Sequence, residues 1–280
     1  MRCSAPTHRR ITSLLCIVIV SVLLSGTASA ATVTVAAAGD IAKANSPNTA
    51  QRKTASLITD VIHPTSVLML GDAQYEHGEY AQFLKSYDPT WGVFRSITAP
   101  VPGNHEYETP NAAGYFQYFS SVLTQYGSTA TDPRKGYYSF NLGDWHIVAL
   151  NTNCSVSGIS CTEERSWLKA DLQADDHLCE LAIAHHSNKS FASVLASEGA
   201  ELYLNGHRHT YERWDRGFGL PIRQFVVGTG GKSSGTPKAT ADAGFKGFGV
   251  LKLQLDAANY SWSFLDVART VRDSGTGTCS

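Results

Sequence analysis

Five short blocks of this 280-residue chain concentrate side chains able to coordinate a metal. They are Gly39-Asp40, Gly71-Asp72-Ala73-Gln74-Tyr75, Gly103-Asn104-His105-Glu106, His185-His186 and Gly206-His207-Arg208-His209, and five of the ten histidines fall in the last three. Together they offer carboxylate, amide oxygen, phenol and imidazole. That mixture suits zinc, iron or manganese better than the all-oxygen cages of calcium or magnesium. One carboxylate shared by two such ions would set them about 3.5–4 Å apart, a spacing at which both the attacking and the leaving oxygen of a displacement are stabilised. The glycines ahead of the ligands are expected to let the backbone turn sharply where each strand ends.

Donors this far apart in sequence meet only if the fold brings loop ends together. Residues 32–38, 66–70, 96–101, 178–184 and 201–204 read as short buried strands, each ending at one of the blocks. Residues 47–60 read as a helix started by Asn45 or Ser46 before Pro47. Residues 79–87 and 190–197 are also expected to be helical, as are 162–173, capped by Thr162 with Glu163 and Glu164 in the first turn. Residues 136–141 and 145–151 have the pattern of a hairpin turned at Leu142-Gly143-Asp144. From Pro221 onward the alternation is of β type, over 222–227, 248–255 and 260–267, with a Gly- and Ser-rich loop at 228–235. In α/β sheets ligands gather at the carboxyl ends of strands, so loops a hundred residues apart can converge.

In this order, the five blocks resemble the calcineurin-like metallophosphoesterases. Gly71-Asp72-x-x-Tyr75 and Gly206-His207-x-His209-x-Tyr211-Glu212-Arg213 are similar to the purple acid phosphatase branch, in particular its compact exported bacterial forms. The likeness runs from about Gly39 to Arg213, and the tail from Asp273 to Cys279 also resembles those forms. The resemblance implies an α/β fold, a four-layer α/β/β/α sandwich of two mixed sheets flanked by helices, with residues 31–280 as a single metallophosphoesterase domain. It implies Asp40, Tyr75 and His209 on one metal ion, Asn104, His185 and His207 on a second, and Asp72 bridging them. The hydrophobic run over 181–184 favours His185 over His186 as the ligand. His105, with His186 in support, would stabilise charge on the phosphate or protonate the leaving oxygen, and Arg208 would face either substrate or solvent.

The residues supply a chemical reason for Tyr75. Many members of the wider family carry Asp-x-His in the first block, whereas Ala42 stands two positions after Asp40 and cannot coordinate. A phenolate from Tyr75 can replace the missing ligand. A free phenol ionises only near pH ~10, so a trivalent ion favours it most. The expected cofactors are therefore two metal ions, Fe(III) at the Tyr75 site with Fe, Zn or Mn at the other. The implied reaction is phosphate monoester hydrolysis: the metal pair lowers the pKa of water from about 15.7 towards about 7, and the hydroxide attacks phosphorus in line with the ester oxygen.

Arg2, Arg9 and Arg10, an apolar run over 11–26 and Ala28-Ser29-Ala30 have the layout of a signal peptide over residues 1–30. A retained anchor is the rival reading, but the run is short against the roughly 20 residues a bilayer span needs. The expected location is secreted, periplasmic or extracellular. The whole chain has 23 Lys and Arg against 24 Asp and Glu, and loss of the leader's three arginines leaves 20 against 24, a net charge of −4 with neutral histidines. No basic stripe points to nucleic acid, and no second apolar stretch reaches spanning length. The expected partner is a small phosphorylated substrate.

Cys154, Cys161, Cys179 and Cys279 remain after the leader is removed, an even number with three pairings open. The short segment between Cys154 and Cys161 favours a local bridge, which leaves Cys179 for Cys279. His63, His77, His146 and His177 carry no motif and read as structural or solvated. Two other functions stay open: a phosphodiesterase acting on nucleotides or phospholipids, and a non-catalytic binding protein on this fold. Intact Asp72, Asn104 and His105 argue against the last.

Overall fold

The structure, a computed structural model, describes residue 1 and residues 31–43, 48–126, 135–156 and 158–280. The leader over 2–30, the helix start at Asn45-Ser46-Pro47 and Ser157 lie outside the described residues. The strands in chain order are β1 Val33–Ala38, β2 Ser66–Leu70, β3 Thr98–Val101, β4 Tyr138–Leu142, β5 Trp145–Ala149, β6 Cys179–Ala184, β7 Leu202–Asn205, β8 Tyr211–Trp214, β9 Arg223–Val227, β10 Ala243–Phe245, β11 Gly249–Leu255, β12 Asn259–Asp266 and β13 Val271–Thr278. One sheet has the order β13-β12-β11-β1-β2-β3 and the other β10-β8-β9-β7-β6-β5-β4.

Each sheet is mixed, with a parallel centre and antiparallel flanks. β1, β2 and β3 run parallel, as do β5, β6, β7 and β9, while β11–β13 and β4, β8 and β10 complete the sheets in antiparallel fashion. Strands buried on both faces carry apolar residues at nearly every position. In β5 and β6, Ile147, Ala149, Leu181 and Ile183 join the core between the sheets. Their neighbours Val148, Ala182 and Ala184 face the opposite way, into a second core formed with Leu168, Leu172 and Phe191. Those last residues belong to α5 (Cys161–Ala174) and α6 (Lys189–Glu198). On the outer face of the other sheet lies α1 (Thr49–Leu57), prolonged by a wider turn over Ile58–Ile62. The four layers expected from the sequence are thus present, and among the described residues no helix is long and apolar enough to cross a membrane.

Two helix starts differ from the sequence expectation. Asn48 caps α1, accepting from Gln51 N–H while the Gln51 side chain answers to the cap backbone. Ser160 rather than Thr162 caps α5, its hydroxyl accepting from Glu163 N–H at 3.2 Å. The chemistry of the cap is as expected; the position moves because Thr162 lies already within the first turn. Short helices at Ala113–Tyr118 and Ser120–Tyr126, and strands β8, β10 and β13, have no counterpart in the sequence reading.

Both disulfides of the expected pairing form, Cys154–Cys161 and Cys179–Cys279. The second joins the start of β6 to the residue just past β13, so it ties one sheet to the other. Closing a loop of 7 residues constrains the unfolded chain less than closing one of 100. The chain-entropy relation gives roughly 2 against roughly 5 kcal/mol. Replacing both Cys179 and Cys279 by Ser should therefore lower stability about twice as much as replacing Cys154 and Cys161, as read from denaturant unfolding.

Candidate metal centre

The carboxyl ends of β1, β2, β3, β6 and β7 all open on one edge of the sandwich, and each delivers one block. All seven predicted metal ligands meet there. The Tyr75 hydroxyl lies 2.7 Å from Asp40 Oδ1, 2.7 Å from Asp72 Oδ2 and 3.1 Å from His209 Nε2, and His209 Nε2 is 3.1 Å from Asp40 Oδ1. On the other side His185 Nε2 stands 3.2 Å from Asp72 Oδ2 and 3.1 Å from Asn104 Oδ1, which is 3.1 Å from His207 Nδ1. Asp72 is the group common to both halves. Ala42 pairs as backbone with Gln74 and contributes no donor.

The orientation of these groups is fixed by their other bonds. His185 Nδ1 donates to the Leu70 carbonyl at 2.9 Å, which leaves Nε2 as the ring atom facing the centre. Asp40 Oδ2 accepts from His207 N–H, and Asp72 Oδ1 from His105 N–H. His105 lies over the Tyr75 ring at 4.3 Å and gives Nδ1–H to the Glu76 carbonyl at 2.5 Å. His186 sits one ring further out, 4.4 Å from His207 and 4.7 Å from His185. Its donor atom lies within 4.8 Å of theirs. Burial, with His185 and His207 alongside, pushes its imidazole down to about 3. Arg208 turns to buried Glu212, with Nη2 3.2 Å from Oε1. With Ser187, Trp214, Phe218 and Lys238 it lines an open pocket of about 200 Å³ beside the centre.

The donor set fits a multivalent cation. Asp40, Asp72 and Tyr75 are 0%, 1% and 1% exposed, and buried charges of one sign persist only when paired. One phenol proton cannot serve two carboxylates that are both 2.7 Å away. Burial, and then the charges of Asp40 and Asp72, raise the Tyr75 hydroxyl far above its usual range, so only a strongly charged ion can make it a phenolate. His185 tells the same story: burial pulls its pKa down, but Asp72 and Asp40 carry it up to about 9, making it a proton-bearing counter-charge. A metal ion displaces that proton.

The backbone supports the cluster at a cost. Asp40, Asp72 and His207 have φ of 60°, 49° and 67°, the left-handed region that ordinary residues avoid. The ligands themselves make most of the sharp turns. Gly71 also has positive φ, 79°, but Gly103 does not, and its role is close approach: a Cβ there would collide with Asp72 Oδ1. This corrects the expectation that every preceding glycine makes the turn.

Three contributors were not assigned roles from the sequence. Glu106, fully buried, accepts N–H from Asp72 at 2.9 Å, Gln74 at 3.1 Å and Gly103 at 2.7 Å, clamping two ligand loops together. Burial and the Asp72 charge push its carboxyl up, and the N–H donors partly offset that rise. From the loop after β9, Ser233 bonds His209 Nδ1 and Lys232 lies 4.2 Å over the Tyr75 ring while pairing with Glu76. The carboxyl-end rule points to this loop, since β9 is a parallel strand like the others. Glu106→Ala would leave three buried N–H groups unpaired, at about 1–3 kcal/mol each. We expect a stability loss of several kcal/mol with loss of bound metal, and a smaller loss for Glu106→Gln, measured by thermal melting and elemental analysis.

No family model matches the chain. It is similar to purple acid phosphatase 15 of Arabidopsis thaliana, 26% identical over 231 residues, covering 64% of this chain and 42% of that one. Purple acid phosphatase 18 of the same plant is 25% identical over 208 residues, covering 62% and 45%. The chain thus spans less than half the length of either relative. Among solved structures, purple acid phosphatase PPD1 from yellow lupin superposes with TM-score 0.64 at 19% identity, over 88% of this chain and 53% of that one. GAP50, the anchor in the inner membrane complex of Plasmodium, gives TM-score 0.64 at 11% identity over 89% of each. The chain thus shares the fold of these solved structures and is similar in sequence to the two plant purple acid phosphatases.

Proposed function

We propose that the chain is a metal-dependent phosphoesterase that hydrolyses phosphate monoesters outside the cytoplasm. The observation that carries this reading is the position of Asp72 Oδ2, between the Tyr75 hydroxyl at 2.7 Å and His185 Nε2 at 3.2 Å. Asp40, Tyr75 and His209 would hold Fe(III), Asn104, His185 and His207 a second Fe, Zn or Mn, and Asp72 both. When bound, the ions supply Lewis acidity for phosphoryl oxygens and lower the pKa of water. The fold is shared with GAP50, so the fold alone does not argue for catalysis; the complete donor set does.

The chain's own groups divide the remaining work. The Nδ1–H of His105 is committed to the Glu76 carbonyl, so Nε2 is the atom that can pass a proton to the leaving oxygen. The Lys232 ammonium adds positive charge at the rim of the Tyr75 site. His186, uncharged beside His207, suits a hydrogen bond to phosphate better than charge neutralisation. Two observations support export: the leader pattern at residues 1–30 and the two disulfides, which persist in oxidising compartments. The pocket beside Arg208, walled by Trp214 and Phe218, gives the diesterase alternative its support, because it offers space for a second esterified group.

Turnover of a chromogenic monoester should exceed that of its bis-ester. His105→Asn should lower kcat by about 10²–10⁴-fold with bound metal unchanged. A bis-ester preference would favour the diesterase, and metal binding without turnover of either would favour a binding role. In the visible spectrum, iron-loaded protein should show a tyrosinate-to-Fe(III) band that Tyr75→Phe abolishes; a band that survives would remove Tyr75 from the first site.

A further inference from the structure

A second cluster of donors lies at the opposite end of the β4–β10 sheet. β6 is six residues long, so at about 3.3 Å per residue its start lies roughly 17–20 Å from the loop that carries His185. There His146 of β5, buried to 5% exposure, meets the exit of α5. Its Nδ1 is 2.8 Å from Asn141 Oδ1 and 3.2 Å from Asp175 Oδ2. Asp175 Oδ1 is in turn 2.9 Å from His177 Nδ1. Donor atoms of His146, Asp175 and His177 all fall within 4.8 Å of one another. By sequence alone both histidines read as structural or solvated.

Three further features make this more than a salt-bridged histidine. His146 Nε2 donates to Asp171 Oδ2 at 2.9 Å, and Asp171 Oδ1 accepts from Ser139 Oγ at 2.8 Å. A carboxylate on the far ring nitrogen is the arrangement that fixes a metal-binding imidazole and raises its basicity. Next, the C-terminus of α5 carries partial negative charge and prefers cations, yet its last turn has no basic residue and Asp171 and Asp175 stand there instead. Finally, Glu180 pairs in register with His146 across β5 and β6, is 8% exposed, and has a buried Oε2 with no hydrogen-bond partner among the described residues. The carboxyl groups of Asp171, Asp175 and Glu180 thus gather around the His146 ring. A cavity of about 240 Å³, lined by Asn141, His146, Asp171 and Asp175 among others, gives access from solvent.

We propose that His146 Nδ1, His177 Nδ1, the Asp175 carboxylate and Asn141 Oδ1 bind one zinc ion, with Asp171 orienting His146. Two imidazole nitrogens and two oxygens suit zinc. Zinc bonds of about 2.0–2.1 Å in a tetrahedron set donors roughly 3.3 Å apart. The contacts of 2.8–3.2 Å that Asn141 and Asp175 make here need to open by only a few tenths of an ångström, and the His146 and His177 nitrogens already lie within 4.8 Å of each other. The ion would join the β4–β5 hairpin to the end of α5, next to the Cys179 bridge, as a structural clip apart from the phosphoesterase centre.

The test is zinc content of the full-length mature chain after equilibration with excess zinc and removal of free metal. His177→Ala and Asp175→Asn should each retain one zinc fewer per chain than the unmodified protein, with native circular dichroism and monoester turnover within about twofold. Asp72→Asn should retain the zinc that these variants lose, which separates this site from the first centre. Anomalous scattering at the zinc edge, from zinc-soaked crystals of the unmodified chain, should place a peak between His146 and His177. Equal zinc content in folded variants, or no such peak, would overturn the proposal.

Discussion

Two buried carboxylates and a buried phenol share one small space between the sheets, and the unusual backbone and bonding of the ligand loops answer to that fact. Asp40, Asp72 and Tyr75 cannot coexist there as anions in an apolar surrounding. Their positions are nevertheless fixed by bonds that do not depend on any ion. Asp40 is held by His207 N–H, Asp72 by His105 N–H, and the loops behind them by the Glu106 carboxylate. The left-handed backbone at Asp40, Asp72 and His207 is tolerated because the strands on either side leave no alternative. The protein spends stability to keep donors preorganised.

That arrangement explains what was legible in the sequence. A strand buried on both faces must be apolar throughout, so the runs before each block announced themselves, and the blocks then fell at strand ends where ligands collect. The alternation of core faces in β5 and β6 is simply the period of two written into residues that are all hydrophobic. Disulfide pairing was legible for a different reason, since the spacing of Cys154 and Cys161 suggested a local bridge.

Other features were hidden because their cause is tertiary. β13 contains Asp273, Ser274, Gly275 and Gly277 and reads as a tail, but its glycines lie on the rings of Trp262 and Tyr260, where a Cβ would collide. A strand chosen for smallness has no hydrophobic period to detect. Glu106 looked like one more polar residue in a ligand block; only the three N–H groups it gathers reveal a clamp. Lys232 and Ser233 lie in a loop whose Gly and Ser content signals irregular backbone and says nothing of a neighbour. The cap at Ser160 moved by two positions because caps depend on local dihedrals, which composition does not fix.

The pairing of β1 with β11 sets Val33 beside Leu255. In time rather than space, the strand that emerges first at its amino end must wait for a partner synthesised some 220 residues later. Until then β1 has one edge exposed, and Asp40 stands at its end without the loop after β9 that closes over it. Such long-range closure is slow and leaves sticky intermediates. The sheet that carries Asp40 and Asp72 is therefore completed only once β11 is available, so the loop ends it brings to the candidate centre gather late.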